Sequence, residues 1–223
     1  MSPVLVFEVI AVVLAALAAM IGAAKKGLDF VGTYALALIV AFGGGTIRDV
    51  LLDRRPFFWA DRWEYLVVIF VLCIPFVYSR AVHSLSQRVV ARGEFIDALG
   101  LGFYTVVGCT LALNADQPAI VAILLGVITS TGGGIMGDVL TNEVPGYFRH
   151  GRLYASSAFA GAVTFVGLSP YGNVVAVSAS VTIAVALRLV SVWRGTMLPR
   201  PHWLDTGAHL MPPAQSSEPP AGS

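Results

Sequence analysis

Residues Gly43–Pro56 read GGGTIRDVLLDRRP, and residues Gly132–Pro145 read GGGIMGDVLTNEVP, the same phrase 89 residues further on. Sliding the chain by that offset also aligns Glu8 with Asp97, Asp49 with Asp138 and Tyr65 with Tyr154. A fixed offset of this size marks an internal duplication. Because both copies lie inside long apolar runs, the duplication has the form common in membrane transport proteins.

Composition places the chain in lipid. Apolar residues make up 57% of it and charged residues only 12%, with a mean hydropathy of +0.78, more than a soluble domain of this length carries. A formal net charge of +1 gives no reason to expect a nucleic-acid partner. Cys73 and Cys109 fall at positions that are not equivalent between the copies and read as small core residues. His83 and His150 fall in loops and His202 and His209 in the tail, with no metal-ligand spacing, so neither a metal nor a cofactor is expected. There is no phosphate-loop ending, GxSxG or HExxH, and the chain is not read as an enzyme.

A spanning helix needs about 20 largely apolar residues, and seven segments meet or approach that rule: 4–24, 28–52, 64–80, 95–113, 118–141, 153–168 and 174–193. The first is kept as a helix rather than a secretory signal, since its positive charges, Lys25 and Lys26, follow the apolar stretch. With connections assigned alternately to the two sides, Lys25, Lys26, Arg80, Arg88, Arg92, Arg149, Arg152, Arg194 and Arg200 share one side, against Arg54, Arg55 and Arg62 on the other. The positive-inside rule then puts the N-terminus outside and the C-terminus in the cytoplasm of a cell whose plasma (inner) membrane holds the protein. Residues 1–93 form the first three-helix repeat and a connecting loop, 94–170 the second repeat, 171–195 the seventh helix and 196–223 a disordered tail. Three crossings leave the second copy starting on the opposite side, so the expected fold is an all-α membrane protein of two inverted repeats plus one helix.

Each glycine in a helix costs roughly 1 kcal/mol relative to alanine, so two triplets require a reason. One reading is close packing of small residues between helices. The other is a kink or unwound turn in the second and fifth helices that lines an aqueous path, with Thr46, Ser130 and Thr131 replacing lost backbone bonds. The second makes Gly43, Gly44, Gly45, Gly132, Gly133 and Gly134 candidate path residues.

Asp49 and Asp138 follow the triplets at the same spacing. A carboxylate deep in a span costs on the order of 3 kcal/mol and normally faces a partner or a hydrated cavity; the alternative is a position near the headgroups. Neighbours on a helix point in different directions, so Arg48 is expected to reach across to Asp138 or Glu8 rather than to pair with Asp49. One arginine among two aspartates leaves a net negative path, which favours cations. Glu8 and Asp97 occupy matching places near helix starts, where the helix dipole also favours a carboxylate, so they are supporting candidates. Arg188 is expected to snorkel at the end of the last helix.

Two three-helix units, each with GGG, a following Asp and a Pro seven residues beyond, resemble the bacterial family labelled a glycine transporter domain, which is similar in fold to the trimeric intracellular cation (TRIC) channels. The resemblance covers roughly residues 5 to 193. It implies a homotrimer of seven-helix protomers, each with its own pore kinked at the glycines, passing potassium or sodium. The family's second triplet is often followed by Arg-Asp, where this chain has Gly137-Asp138. The family label also carries a carrier for glycine or another small solute as an alternative. A channel is favoured because the repeat shows no aromatic or charged cluster of the kind that clamps an amino acid; a scaffold whose glycines serve only packing is the third class. Anionic lipid near Arg80, Arg88 and Arg92 is a further partner consistent with the charge pattern.

Overall fold

In a computed structural model the chain is described over residues 3–56, 62–145 and 153–194, the side chains of residues 3–4 and 80–93 excepted. The expectations for the tail 196–223 and for His150, His202, His209, Arg149, Arg152 and Arg200 lie outside the described residues, as do those for the side chains of Arg80, His83, Arg88 and Arg92.

The described residues form seven α-helices: α1 (Pro3–Lys25), α2 (Phe30–Leu51), α3 (Glu64–Tyr78), α4 (Arg80–Asn114), α5 (Ala119–Leu140), α6 (Ala155–Leu168) and α7 (Asn173–Arg194), with a 3₁₀ turn at Ser169–Tyr171 before the last. No strand occurs among the described residues, and the protein is an all-helical membrane protein. Five helical stretches are long and apolar enough to cross a bilayer: Leu5–Lys25, Phe30–Leu51, Glu94–Asn114, Ala119–Leu140 and Asn173–Arg194. The third and sixth segments are shorter than expected, at 15 and 14 residues, about 21–23 Å of helix against a hydrocarbon core of about 30 Å. A proline accounts for the second stop, and another lies within the first of the two helices. Pro75 stands in the last turn of α3, and Pro170 lies just beyond α6 in the 3₁₀ turn.

The loop expected up to residue 93 is corrected by the structure: the backbone of 80–93 is helical and continuous with the span that follows. This stretch holds no proline and only one glycine, Gly93, so its backbone has no reason to stop short.

The duplication is legible in element boundaries. Helices α2 and α5 begin and end 89 residues apart, and α1 and α4 end at Lys25 and Asn114, the same offset. Both α2 and α5 close with a Schellman motif, in which the Arg54 N–H donates to the Asp49 carbonyl at 2.8 Å and the Glu143 N–H to the Asp138 carbonyl at 2.9 Å. Each motif turns on a left-handed residue, Asp53 (φ 53°) and Asn142 (φ 57°), residue types that tolerate this conformation. At the other end of α2, Asp29 accepts from the Gly32 N–H at 2.7 Å as a side-chain N-cap. In the packed bundle α5 touches α2, α4 and α6, while α7 lies against α6 and α4.

Candidate functional site

Helices α2 and α5 cross at the glycine triplets. A Cβ at Gly44 would overlap the carbonyl oxygen of Thr129, and one at Gly133 would overlap the carbonyl oxygen of Val40. The two pairs exchange under the offset: Gly44 plus 89 is Gly133, and Thr129 less 89 is Val40. Gly43 and Gly132 behave alike: a Cβ at Gly43 would lie 3.2 Å from the Gly133 Cα, and one at Gly132 would lie 3.1 Å from the Gly44 Cα. Removing four side chains lets the two backbones touch, the packing role of small residues in membrane helices.

The unwound turn is not found, because both helices run unbroken through their triplets. The hydroxyls beside the glycines therefore replace no lost bonds. Thr46 donates to the Phe42 carbonyl at 2.8 Å, Thr131 to Val127 at 2.8 Å, and Ser130 to Val127 at 3.0 Å, each onto an intact turn of its own helix.

Near the end of α2 the chain buries a charged trio. Arg48, the largest fully buried side chain among the described residues, donates through Nη2 to Glu8 Oε1 at 3.0 Å and through Nε to Asp49 Oδ1 at 2.8 Å. Arg48 and Asp49 are each 1% exposed and Glu8 8%. The pairing with Glu8 across to α1 meets the expectation. The pairing with Asp49 does not, because the guanidinium folds back along the helix rather than extending. Gly45, one turn earlier, lies beside the folded-back guanidinium, and a Cβ there would sit 3.7 Å from Nη2, an ordinary contact distance. Two carboxylates on one guanidinium give the trio a formal charge of −1. Asp138 stands outside this trio, partly exposed in the last turn of α5.

A second charged group lies at another depth. Leu14 on α1 packs against Gly100 on α4, and further along α1 Ala18 shares a cavity wall with Asp97; ten residues, about 15 Å of helix, separate Ala18 from Glu8. Asp97 accepts from the Tyr154 hydroxyl at 2.6 Å through Oδ1 and faces Arg188 Nη2 at 3.5 Å through Oδ2. The Arg188 guanidinium also stacks over the Tyr154 ring, 4.3 Å from its centroid. Arg188 does not snorkel; it is 8% exposed, since a carboxylate inside the bundle draws it inward.

Between Asp97 and the glycine crossing is a cavity of about 40 Å³, lined on the α5 side by Ser130, Gly133 and Gly134 and on the α4 side by Asp97 and Tyr104. That volume holds a water molecule. The Tyr104 hydroxyl donates to the Ala41 carbonyl, fastening α4 to α2 just before its triplet. Thus Ser130, Gly133, Gly134 and Asp97 meet at the cavity, Gly43, Gly44 and Gly132 form the crossing, and Arg48, Asp49 and Glu8 form the trio, with Gly45 beside Arg48. Tyr104, Thr129, Tyr154 and Arg188 were not among the expected path residues. The alignment with Tyr65 is the sequence signal for Tyr154, and Arg188 is expected from sequence only to snorkel.

The glycine transporter family model matches residues 5–81 and 94–170, once for each half of the chain. The UPF0126 inner membrane protein YadS of Escherichia coli strain K12 is 32% identical over 70% of this chain and 74% of its own length. A solved TRIC cation channel superposes with a TM-score of 0.77 and 30% identity, over 88% of this chain and 96% of that one. The TRIC trimeric intracellular cation channel orthologue from Rhodobacter sphaeroides superposes with a TM-score of 0.77 and 28% identity, over 87% of this chain and all of its own.

Proposed function

The chain belongs to the glycine transporter family, and we propose that it is a monovalent cation channel, passing potassium or sodium through a path within each protomer of a homotrimer. The observation that carries this reading is its likeness, over nearly the whole described fold, to solved cation channels at 28–30% identity. In this reading the two halves are inverted repeats about an axis through the α2–α5 crossing, which the exchange of glycine contacts supports, and the N-terminus faces outward. The path passes the crossing between the Arg48 trio and Asp97. The trio's formal charge of −1 and the carboxylate of Asp97 favour cations over anions along it.

The family's description favours a second reading, a carrier for glycine. A carrier requires a site closed alternately from each side and a free helix N-terminus or arginine for the carboxylate. Unbroken α2 and α5 offer no such terminus at the crossing, and a cavity of about 40 Å³ is tight for an amino acid. Proteoliposomes loaded with a potassium-sensitive dye and, in parallel, given labelled glycine discriminate the two. Potassium flux without glycine accumulation is expected; saturable glycine uptake without potassium flux would establish the carrier.

A further inference from the structure

The second repeat lacks the arginine of the first. Gly137 stands where Arg48 would recur, and a Cβ there would meet Val40 Cγ2 at 2.6 Å and Leu36 Cδ1 at 3.3 Å, so α2 already fills the space a longer side chain needs. Asp97, the counterpart of Glu8, instead faces an arginine from α7, a helix outside both repeats. The two arginines differ in grip. Arg48 makes contacts of 2.8 and 3.0 Å to carboxylates that are almost wholly enclosed. Arg188 makes one contact of 3.5 Å to a carboxylate with a third of its side chain exposed, and its Nε and Nη1 have no hydrogen-bond partner among the described residues.

A buried guanidinium with two idle nitrogens is a poor choice for packing alone, where an apolar side chain of similar volume does as well or better. The carboxylate it faces borders the water-sized cavity beside the glycine crossing and, with one contact per oxygen, still has room to accept more. Resting on the cation-channel reading, we propose that Arg188 is a specificity-determining residue of the path: a tethered positive charge that partly compensates Asp97 and so sets how strongly this end of the path prefers cations. Tyr154 holds both partners, donating to the carboxylate and stacking under the guanidinium, and keeps them in register.

The test is planar-bilayer recording of the full chain in a potassium chloride gradient, wild type beside Arg188→Gln, Arg188→Lys, Asp97→Asn and the double variant Asp97→Asn/Arg188→Gln. Removing one positive charge beside the path raises the potassium-to-chloride permeability ratio in Arg188→Gln by about two- to fivefold. Arg188→Lys brings the ratio back toward the wild-type value, which a packing role would not require. Asp97→Asn lowers the ratio, and in that background Arg188→Gln shifts it less than in the wild type. An Arg188→Gln protein that conducts with the wild-type ratio, or shifts it equally with and without Asp97, overturns the proposal. Should Arg188→Gln fail to fold, the near-isosteric Asp97→Asn decides: an unchanged ratio overturns it. A silent wild type removes the channel reading itself, a result distinct from any of these.

Discussion

The first repeat closes its charges upon itself, whereas the second borrows. Glu8 is neutralised by an arginine from its own repeat, and the trio it forms with Asp49 is sealed from solvent. Asp97, at the matching place, takes a tyrosine from its own repeat and an arginine from α7, and it borders an open space. A duplication fixes the backbone more firmly than the side chains: boundaries, end motifs and glycine contacts recur at the same offset, while the charges have diverged. The seventh helix is therefore more than an appendage, since it completes the charge balance of the second repeat.

The largest effect expected from breaking this contrast is at Arg48. Arg48→Gln leaves Glu8 and Asp49 buried without a counter-charge, at a cost of about 3–5 kcal/mol, and thermal unfolding in detergent should show a larger loss than Arg188→Gln, whose partner keeps Tyr154 and some exposure. Equal losses in the two variants would mean that the two sites are equally closed. Next come Gly44→Ala and Gly133→Ala, each driving a methyl group into a facing backbone at about 1–3 kcal/mol or more. Their midpoints should fall together, because their contacts exchange; one neutral substitution beside one damaging one breaks the symmetry of the crossing. Gly45→Ala sharpens the same point. Its Cβ would meet only Arg48 at ordinary contact distance, so stability should stay level or rise by up to about 1 kcal/mol from helix propensity. The smallest effect is at the edge, where Lys26 bonds Thr141 at 2.6 Å and Glu143 at 3.2 Å with both charges partly in solvent. Lys26→Ala should cost about 0.2–1 kcal/mol, and less as salt is raised.

The glycine phrases alone made the duplication and its central helices legible, because a repeated sequence folds to repeated elements. Close packing is one of two readings available from sequence, and the backbone contacts at Gly43, Gly44, Gly132 and Gly133 show that these glycines pack the two helices together. What sequence hid was direction. Adjacent residues on a helix rarely pair, so Asp49 was not assigned to Arg48; the guanidinium reaches Asp49 by folding back along the helix while Nη2 holds Glu8. Arg188 was hidden by distance, since its partner lies 91 residues earlier and the offset that orders the repeats says nothing of a helix outside them. The polar composition of 80–93 suggests a loop, yet the stretch is helical, because polarity marks the end of a membrane span rather than the end of a helix.

Single-channel recording of the purified wild-type chain in a planar bilayer under a potassium chloride gradient tests the central claim most directly. Discrete currents reversing toward the potassium equilibrium potential are the predicted result. A well-folded protein that passes no current, or currents that reverse toward the chloride potential, would contradict a cation path running between the Arg48 trio and Asp97.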